Sequence, residues 1–243
     1  MTKLLGTFFL CFVFIQAQAQ KTINNADSSI VRKQKFTDSV RNLPPLEVTA
    51  VRASSQAPFA KSNVTSAQIR DNNTGQDLPM LLQNTPSVVV NADAGMGIGY
   101  TGLRIRGTDA TRINVTLNGI PYNDAESMGT YFVDMPDFSS SVGSIQIQRG
   151  VGTSTNGAGA FGATINLATN SYHPSAYGSL QSSVGSFNSF KNSFLFGTGL
   201  INNHFTIDGR ISQITSDGYI DRAKSNLKSA YLSATYWGLS LIH

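Results

Sequence analysis

The spacing of hydrophobic and polar positions changes twice along this chain. Leu4–Ile15 is almost entirely apolar, whereas residues 20–45 are mostly polar. Between residues 55 and 170, short β-branched or alternating segments adjoin glycines, and beyond residue 172 longer segments alternate. Alternation with a period of two predicts β-strands. Repeated segments of about 10 residues with this pattern are typical of a transmembrane barrel.

The first apolar run predicts a targeting segment. Lys3 precedes it, and Ala17-Gln18-Ala19 follows it with small residues at the spacing of a cleavage site. A run of about 12 residues is too short for a transmembrane helix, which needs about 20. We therefore expect a signal peptide over residues 1–19; a buried N-terminal helix is the alternative.

The middle zone predicts a small mixed sheet with short helices. Thr65 or Ser66 is expected to begin one helix, and Asp77 another over Leu78–Gln83 with Pro79 in its first turn. Asn118-Gly119 is typical of a tight hairpin. The predicted strands are Ser87–Asn91, Leu103–Arg106, Asn114–Leu117, Ser144–Arg149 and Ala163–Thr169.

The last zone predicts antiparallel strands with apolar side chains on one face and polar ones on the other. In Phe205–Ser212, Ile207 and Ile211 alternate with Asp208 and Arg210. In an exported chain this pattern favours the start of a membrane barrel, with apolar residues outside. A soluble antiparallel sheet is the alternative. Residues 171–243 have room for about four to six strands, so the barrel is expected to be incomplete.

Composition excludes several other functions. Only 13% of the 243 residues are charged, the net charge is +4, and no block of like charges marks a nucleic-acid site. The only cysteine is Cys11, which excludes a disulfide framework. Gly157–Gly162 matches a dinucleotide fingerprint, but a strand follows it where a helix is required. The histidines stand apart from carboxylates, so we expect no enzyme, metal site or cofactor.

Four segments, taken in order, resemble the plug domain of TonB-dependent outer-membrane receptors. Residues 103–126 resemble the pattern of an arginine-glycine strand followed by a strand ending in a glycine turn. Residues 142–150 and 156–166 resemble the arginine-glycine and small-residue segments, and residues 77–86 resemble the helix that precedes a proline. The resemblance covers residues 55–170 and implies an α+β plug domain inside a barrel that begins at residue 171.

A fifth segment resembles the TonB box, which lies near the mature N-terminus of this family. It consists of Leu46, Glu47, Val48, Thr49 and Ala50. The resemblance implies that this segment pairs as a strand with TonB, the partner energised by an inner-membrane complex. Such pairing depends mainly on backbone hydrogen bonds. Residues 20–54 would then be a flexible periplasmic arm; the alternative is that the segment is the first plug strand.

The resemblance also implies candidate site residues. Arg149, and with it Arg104 and Arg106, would form ion pairs with carboxylates on the barrel wall. Gln146 stands where the family often has glutamate, so it cannot supply the acid. The glycine-rich segments 91–102 and 122–131 are candidate ligand loops. Their candidate contacts are Met96, Tyr100, Tyr122, Asn123 and Tyr131.

The implied function is energy-coupled import of a ferric siderophore or another iron chelate, with cobalamin as a further option. The location would be the outer membrane, with the plug facing the periplasm inside the barrel. A 22-stranded barrel needs about 220 residues for its strands alone. We therefore expect this chain to be the N-terminal part of a receptor, through fragmentation, a frameshift or a truncated reading frame. Two alternatives are a remnant that does not transport and a soluble exported binding module.

Overall fold

The computed structural model describes residues 52–54, 56–153, 157, 159–169 and 173–237. The predicted signal peptide over residues 1–19, most of the arm over residues 20–54 and the predicted TonB box at Leu46–Ala50 lie outside the described residues. In the part of the chain that the structure describes, no helix is long and apolar enough to cross a membrane.

The described residues contain eleven strands, two short α-helices and three 3₁₀ turns. The first seven strands are β1 Lys61–Thr65, β2 Val88–Ala92, β3 Thr101–Ile105, β4 Ile113–Leu117, β5 Ile120–Pro121, β6 Ser144–Arg149 and β7 Ala163–Ala168. The longer ones that follow are β8 Tyr177–Gly185, β9 Ser189–Gly197, β10 Phe205–Ser216 and β11 Ser225–Tyr236. The helices are α1 Ser66–Asn72 and α2 Leu78–Leu81, and the 3₁₀ turns are Ala110–Arg112, Phe132–Asp134 and Phe138–Ser141.

The helix ends follow local sequence signals. Thr65 begins α1 through a capping box with Gln68, in which each side chain bonds to the other residue's backbone N–H. Helix α2 has Asp77 before it and Pro79 in its first turn, as predicted, but it ends at Leu81. The carboxylate of Asp77 does not cap α2. It accepts a hydrogen bond from Thr101 Oγ1 at 2.9 Å instead, which ties α2 to the β2–β3 hairpin.

A five-stranded mixed sheet forms the centre of the first region, with the order β1-β6-β7-β4-β5. Strands β4 and β7 are parallel, and the other neighbours are antiparallel. The predicted hairpin joins β4 to β5, with positive φ at Asn118 and Gly119. Strand side chains alternate between the two sheet faces. One face carries core residues, among them Ile113, Val115, Ile145, Ile147 and Ile165.

The last four strands form a separate meander with the order β8-β9-β10-β11. Most of its large apolar side chains point outward, and Ile207 and Ile211 are 37% and 61% exposed, whereas Ile214 is buried on the inner face. The alternating polar side chains, including Lys191 and Arg210, are buried on the other face. The predicted fold class is therefore confirmed: a mixed-sheet domain with short helices precedes antiparallel strands with apolar outer and polar inner faces. These strands do not close into a barrel within the described residues.

Candidate functional site at the contact between the two sheets

The polar face of the meander packs against the turn that precedes β6, and Asp137 lies at the centre of this contact. Asp137 follows Pro136 and begins the 3₁₀ turn Phe138–Ser141. Its backbone is left-handed, with φ 53° and ψ 21°, a conformation that aspartate tolerates better than most residues. This local geometry directs a fully buried carboxylate toward the strands.

Two cations from neighbouring strands bind the Asp137 carboxylate. Lys191 Nζ on β9 lies 2.7 Å from Oδ1, and Arg210 Nη1 on β10 lies 3.2 Å from Oδ2. All three side chains are at most 3% exposed. Water does not screen this ion cluster, so each charge depends on its partners for stabilisation.

Serine hydroxyls complete the hydrogen bonding around the ions. Ser140 donates to Asp137 Oδ1 at 2.6 Å, and Ser193 donates to Oδ2. Arg210 Nε donates to Ser141 Oγ at 2.8 Å, while its Nη1 reaches Ser229 Oγ at 2.9 Å. Ser229 Oγ in turn donates to the Pro136 carbonyl at 2.8 Å. The turn is thereby attached to strands β9, β10 and β11 at once.

The surroundings of Asp137 keep it ionised. Burial alone raises the pKa of its carboxyl. The charge of Lys191 and hydrogen bonds from Lys191, Ser140 and Ser193 outweigh burial and hold the pKa below its usual value. The carboxylate therefore remains an anion across the physiological pH range, and the contact between the two regions is an ionic one.

The three arginines predicted for plug–barrel contacts lie elsewhere in the first region. Arg104 on β3 is exposed and lies near Asp109. The Arg106 guanidinium lies beside Gly150. Arg149 Nη1 donates to the Pro86 carbonyl at 3.1 Å. None of the three forms an ion pair among the described residues, so their predicted barrel-wall partners remain a prediction.

Two of the candidate ligand residues lie in the loop between β2 and β3. Tyr100 is 66% exposed, and Met96 is half-buried. This loop touches the segment between β10 and β11, because Tyr219 N donates to the Ala94 carbonyl at 3.0 Å. The Tyr219 side chain also lies against Gly95, where positive φ and close packing both favour glycine. The loop therefore meets the end of the meander at which β10 leads into β11.

The other candidate ligand residues lie in the loop over residues 122–131. Tyr122 and Tyr131 are 37% and 50% exposed, respectively. Asn123 is committed to internal contacts: its Oδ1 accepts from Val115 N at 2.8 Å, and its Nδ2 donates to two carbonyls of the same region. The described residues contain no group of three or more His, Cys, Asp or Glu side chains placed to hold a metal. Ligand contact by these five residues remains a prediction.

A cavity of about 230 Å³ adjoins the ion cluster between the two sheets. Arg210 lies in its lining, together with Asp208, Tyr177 and Trp237. Tyr177 Oη donates to Asp208 Oδ1 at 2.9 Å, and Trp237 Nε1 donates to Thr206 Oγ1 at 3.1 Å. The contact is thus closely packed around Asp137, with a cavity beside it that Trp237 helps to line.

The sequence patterns did not identify Asp137 or Lys191. Strand alternation had placed Arg210 on the polar face, and the same reasoning applied to β9 would have placed Lys191 there. A signal for Asp137 exists in Pro136-Asp137, a turn dipeptide followed by Ser139, Ser140 and Ser141. Nothing in the sequence, however, shows which residue of the turn faces the strands.

Comparisons with known proteins agree with this geometry. Residues 53–164 match the family model of the TonB-dependent Receptor Plug Domain. No curated protein matched this chain closely enough to extend that comparison.

Solved structures share the fold at low sequence identity. The pyoverdine outer membrane receptor FpvA from Pseudomonas aeruginosa superimposes with a TM-score of 0.58 at 16% identity, over 74% of this chain and 25% of that one. The ferric yersiniabactin uptake receptor FyuA from Yersinia pestis superimposes with a TM-score of 0.56 at 14% identity, over 75% of this chain and 29% of that one. The alcaligin outer membrane receptor FauA from Bordetella pertussis superimposes with a TM-score of 0.55 at 16% identity, over 73% of this chain and 29% of that one. This chain thus spans about a quarter of the length of the structures it matches.

These similarities cover both regions of the described structure. The family model covers both helices and the mixed sheet as far as the start of β7, and the structural matches cover about three quarters of the chain. The matched family model describes a receptor domain, and the similar structures are named as uptake or outer membrane receptors. Residues 53–164 of this chain therefore match the plug domain of TonB-dependent receptors, and four antiparallel strands with apolar outer and polar inner faces follow them in a fold that such receptors share.

Proposed function

We propose that this chain belongs to an energy-coupled importer of a ferric siderophore or another iron chelate, with cobalamin as the alternative ligand. The carrying observation is the inverted polarity of the meander, which buries Lys191 and Arg210 against the plug and exposes Ile207 and Ile211 on its outer face. Such a wall requires an apolar environment outside and a polar filling inside. The plug supplies that filling through Asp137.

The ligand class is inferred from similar folds. One similar structure is named as a ferric yersiniabactin uptake receptor, and another is a receptor bound to pyoverdine. An iron chelate is therefore the ligand class that we propose, with the plug facing the periplasm inside the barrel.

The transport step that we propose begins at the predicted TonB box. TonB pairs with Leu46–Ala50 through backbone hydrogen bonds and pulls on the arm. The pull changes the plug while the wall stays in place. The candidate ligand loops would contact the chelate through Met96, Tyr100, Tyr122 and Tyr131, and Arg104, Arg106 and Arg149 would pair with wall carboxylates. The domain boundaries that we propose are 1–19, 20–54, 55–170 and 171–243.

Uptake of radioactive iron bound to a siderophore tests this function in cells that lack the native gene and carry variants of it. Val48→Pro removes a backbone N–H and prevents strand pairing, so we expect chelate binding without uptake. Val48→Ile keeps the backbone donor and serves as the matched control.

The results separate the parts of the proposal. Uptake by Val48→Pro at the wild-type rate would contradict the position of the TonB box. If the wild-type protein neither binds nor imports any chelate or cobalamin, the importer proposal fails. Membrane-embedded protein would then favour the non-transporting remnant, whereas soluble periplasmic protein would favour the binding module.

A further inference from the structure

The second face of the five-stranded sheet is polar, and it is buried on β6, β7 and β4 but exposed at Asn63 on β1. Asn63, Gln146, Asn166 and Thr116 are cross-strand neighbours in β1, β6, β7 and β4. Thr116 Oγ1 donates to Asn166 Oδ1 at 2.6 Å, and Gln146 Nε2 donates to Asn63 Oδ1 at 2.9 Å. A polar row therefore crosses four strands and ends at β1, which is the edge strand of the sheet.

Gln146 also binds the backbone of Ala53, just after the predicted TonB box. Its Oε1 accepts from Ala53 N at 2.7 Å, and its Nε2 donates to the Ala53 carbonyl at 3.2 Å. With the bonds to Asn63 and from Gln148, the amide makes four hydrogen bonds, its full capacity. An ionised glutamate could accept from Ala53 N, but it would also face the two oxygens to which Gln146 donates.

The chain from Ala53 to β1 passes over β6 and then reverses. Arg52 Nη2 donates to the Ser144 carbonyl at 3.1 Å, at the start of β6. Arg149 N donates to the Ala60 carbonyl at 2.9 Å, at the end of β6. Residues 52–54 and 56–60, here called the strap, therefore run along β6 in its own direction, and β1 returns antiparallel beside it.

This path determines the order in which contacts can open. A pull on the arm loads the start of the strap before it reaches Lys61, the first residue of β1. Lys61 pairs with Gln148 at the far end of β6 from Ser144. Once the strap has lifted, the pull separates β1 from β6 one residue pair at a time, beginning at Lys61. The contact between Gln146 and Ala53 therefore opens before any residue pair between β1 and β6.

We propose that Gln146 is a positioning residue for energy coupling: its amide clamps the backbone of Ala53, holds the strap on β6, and is an early contact that a pull on the arm must break. This inference rests on the proposed coupling to TonB. The clamp requires a neutral amide at position 146, because a carboxylate cannot both donate to and accept from the same peptide unit.

Hydrogen exchange in outer-membrane preparations of the protein tests the clamp without TonB. Gln146→Met keeps the side-chain volume but removes all four hydrogen bonds. We expect backbone amides of the strap and β1 to exchange about tenfold faster, the factor given by the loss of one or two net hydrogen bonds. Amides of β7 report whether the sheet itself remains folded. Gln83→Met, at an exposed position of the plug, is the matched control.

Ala53→Pro approaches the same contact from the other side. It removes the backbone N–H that donates to Gln146 Oε1, and it changes no residue of the sheet. It therefore tests the clamp even if the β7 amides lose protection in Gln146→Met. Both variants should also bind the periplasmic domain of TonB more tightly in the absence of chelate, because the arm is freed. A merely structural role of Gln146 would not raise that affinity.

The outcomes keep the two proposals apart. Unchanged exchange of β1 in Ala53→Pro overturns the clamp, whether or not TonB binds. Faster exchange in the variants, combined with no TonB binding by any form, supports the clamp as a contact and overturns the coupling function. Faster exchange with unchanged TonB affinity overturns the assignment of Gln146 to coupling.

Discussion

The five-stranded plug sheet and the four-stranded meander use the same period of two in opposite ways. In β6, Ile145 and Ile147 face the core, while Gln146 and Gln148 are buried on the other face. In β10, Arg210 and Ser212 are buried, while Ile207 and Ile211 are exposed. Alternation alone therefore predicts a strand but does not tell which face is covered, since that depends on what packs against it.

The buried polar groups also differ in kind between the two regions. Within the plug sheet they are neutral amides and hydroxyls, which satisfy one another because an amide both donates and accepts. Between the plug and the wall they are ions, with Asp137 held by Lys191 and Arg210. Neutral networks join strands of one sheet, whereas the ion cluster joins two separate sheets.

The largest effect is expected from a substitution that breaks the ionic contact of Asp137 with Lys191 and Arg210. Asp137→Ala leaves two buried cations without their anion, which costs about 3–5 kcal/mol. Urea titration of the purified protein in detergent should show this loss in the free energy of unfolding. Asp71→Ala, which removes an exposed carboxylate of α1, is the control and should change the stability by less than about 0.5 kcal/mol. Equal losses in both variants would contradict a central role for Asp137.

The next effect tests whether the outer face of the wall meets lipid. Ile211 and Val89 are similarly exposed, at 61% and 66%. Ile211→Lys should cost about 2–4 kcal/mol in a bilayer, because it puts a charge near the middle of a lipid-facing strand. Val89→Lys on the plug should cost no more than about 1 kcal/mol, because it places a like charge opposite Arg104 but no charge in lipid. Folding into lipid vesicles measures the free-energy cost of both substitutions. Equally small costs would contradict the expectation that Ile211 faces lipid and Val89 does not.

A smaller effect concerns the packing of the wall strands. Phe196 pairs with Gly209 on one side and Gly178 on the other. A Cβ at Gly209 would collide with the Phe196 ring, whereas a Cβ at Gly178 would have no atom within 4 Å. Gly209→Ala should therefore destabilise the protein by about 1–3 kcal/mol. Gly178→Ala, measured by the same urea titration, should not destabilise it, and a reversed order would contradict the ring placement.

The smallest effect depends on pH and lies in the plug. Burial raises the pKa of Asp77 from 3.8 to about 7, against hydrogen bonds from Thr101 and Gly99 that lower it. The folded protein therefore binds more protons than the unfolded chain between about pH 4 and pH 7, and stability falls as pH rises through this window. Between pH 6 and pH 8 the loss is about 1.4 kcal/mol.

Asp77→Asn removes this titration. The variant and the wild type should differ more at pH 8 than at pH 6, with the variant gaining relative stability as pH rises. Thermal unfolding at the two pH values measures the difference. Asp71→Asn, at an exposed position of α1, should leave the pH dependence unchanged. A parallel pH dependence in Asp77→Asn and the wild type would show that Asp77 does not titrate in this window.

Local elements were predictable because their signals are local. The helix cap at Thr65 or Ser66, Pro79 in the first turn of α2 and the Asn118-Gly119 hairpin each depend on neighbouring residues, and the structure contains all three, with Thr65 as the cap. The end of α2 was predicted too late, at Gln83, because no residue between Leu81 and Gln83 is a strong helix breaker. Asp77 also differed from the prediction. Its carboxylate does not cap α2, because it accepts a hydrogen bond from Thr101, 24 residues away.

The sequence by itself determined the alternation of apolar and polar residues within the wall strands and the resemblance to a plug domain, because period, turn chemistry and ordered motifs all lie along the chain. Only the tertiary structure decided which polar residues meet. Asp137 and Lys191 are 54 residues apart in the sequence, yet their charged atoms lie 2.7 Å apart. Gln146 binds Ala53 across 93 positions. Such contacts depend on how the strap, the turn and two separate sheets pack together, and no local spacing encodes that packing.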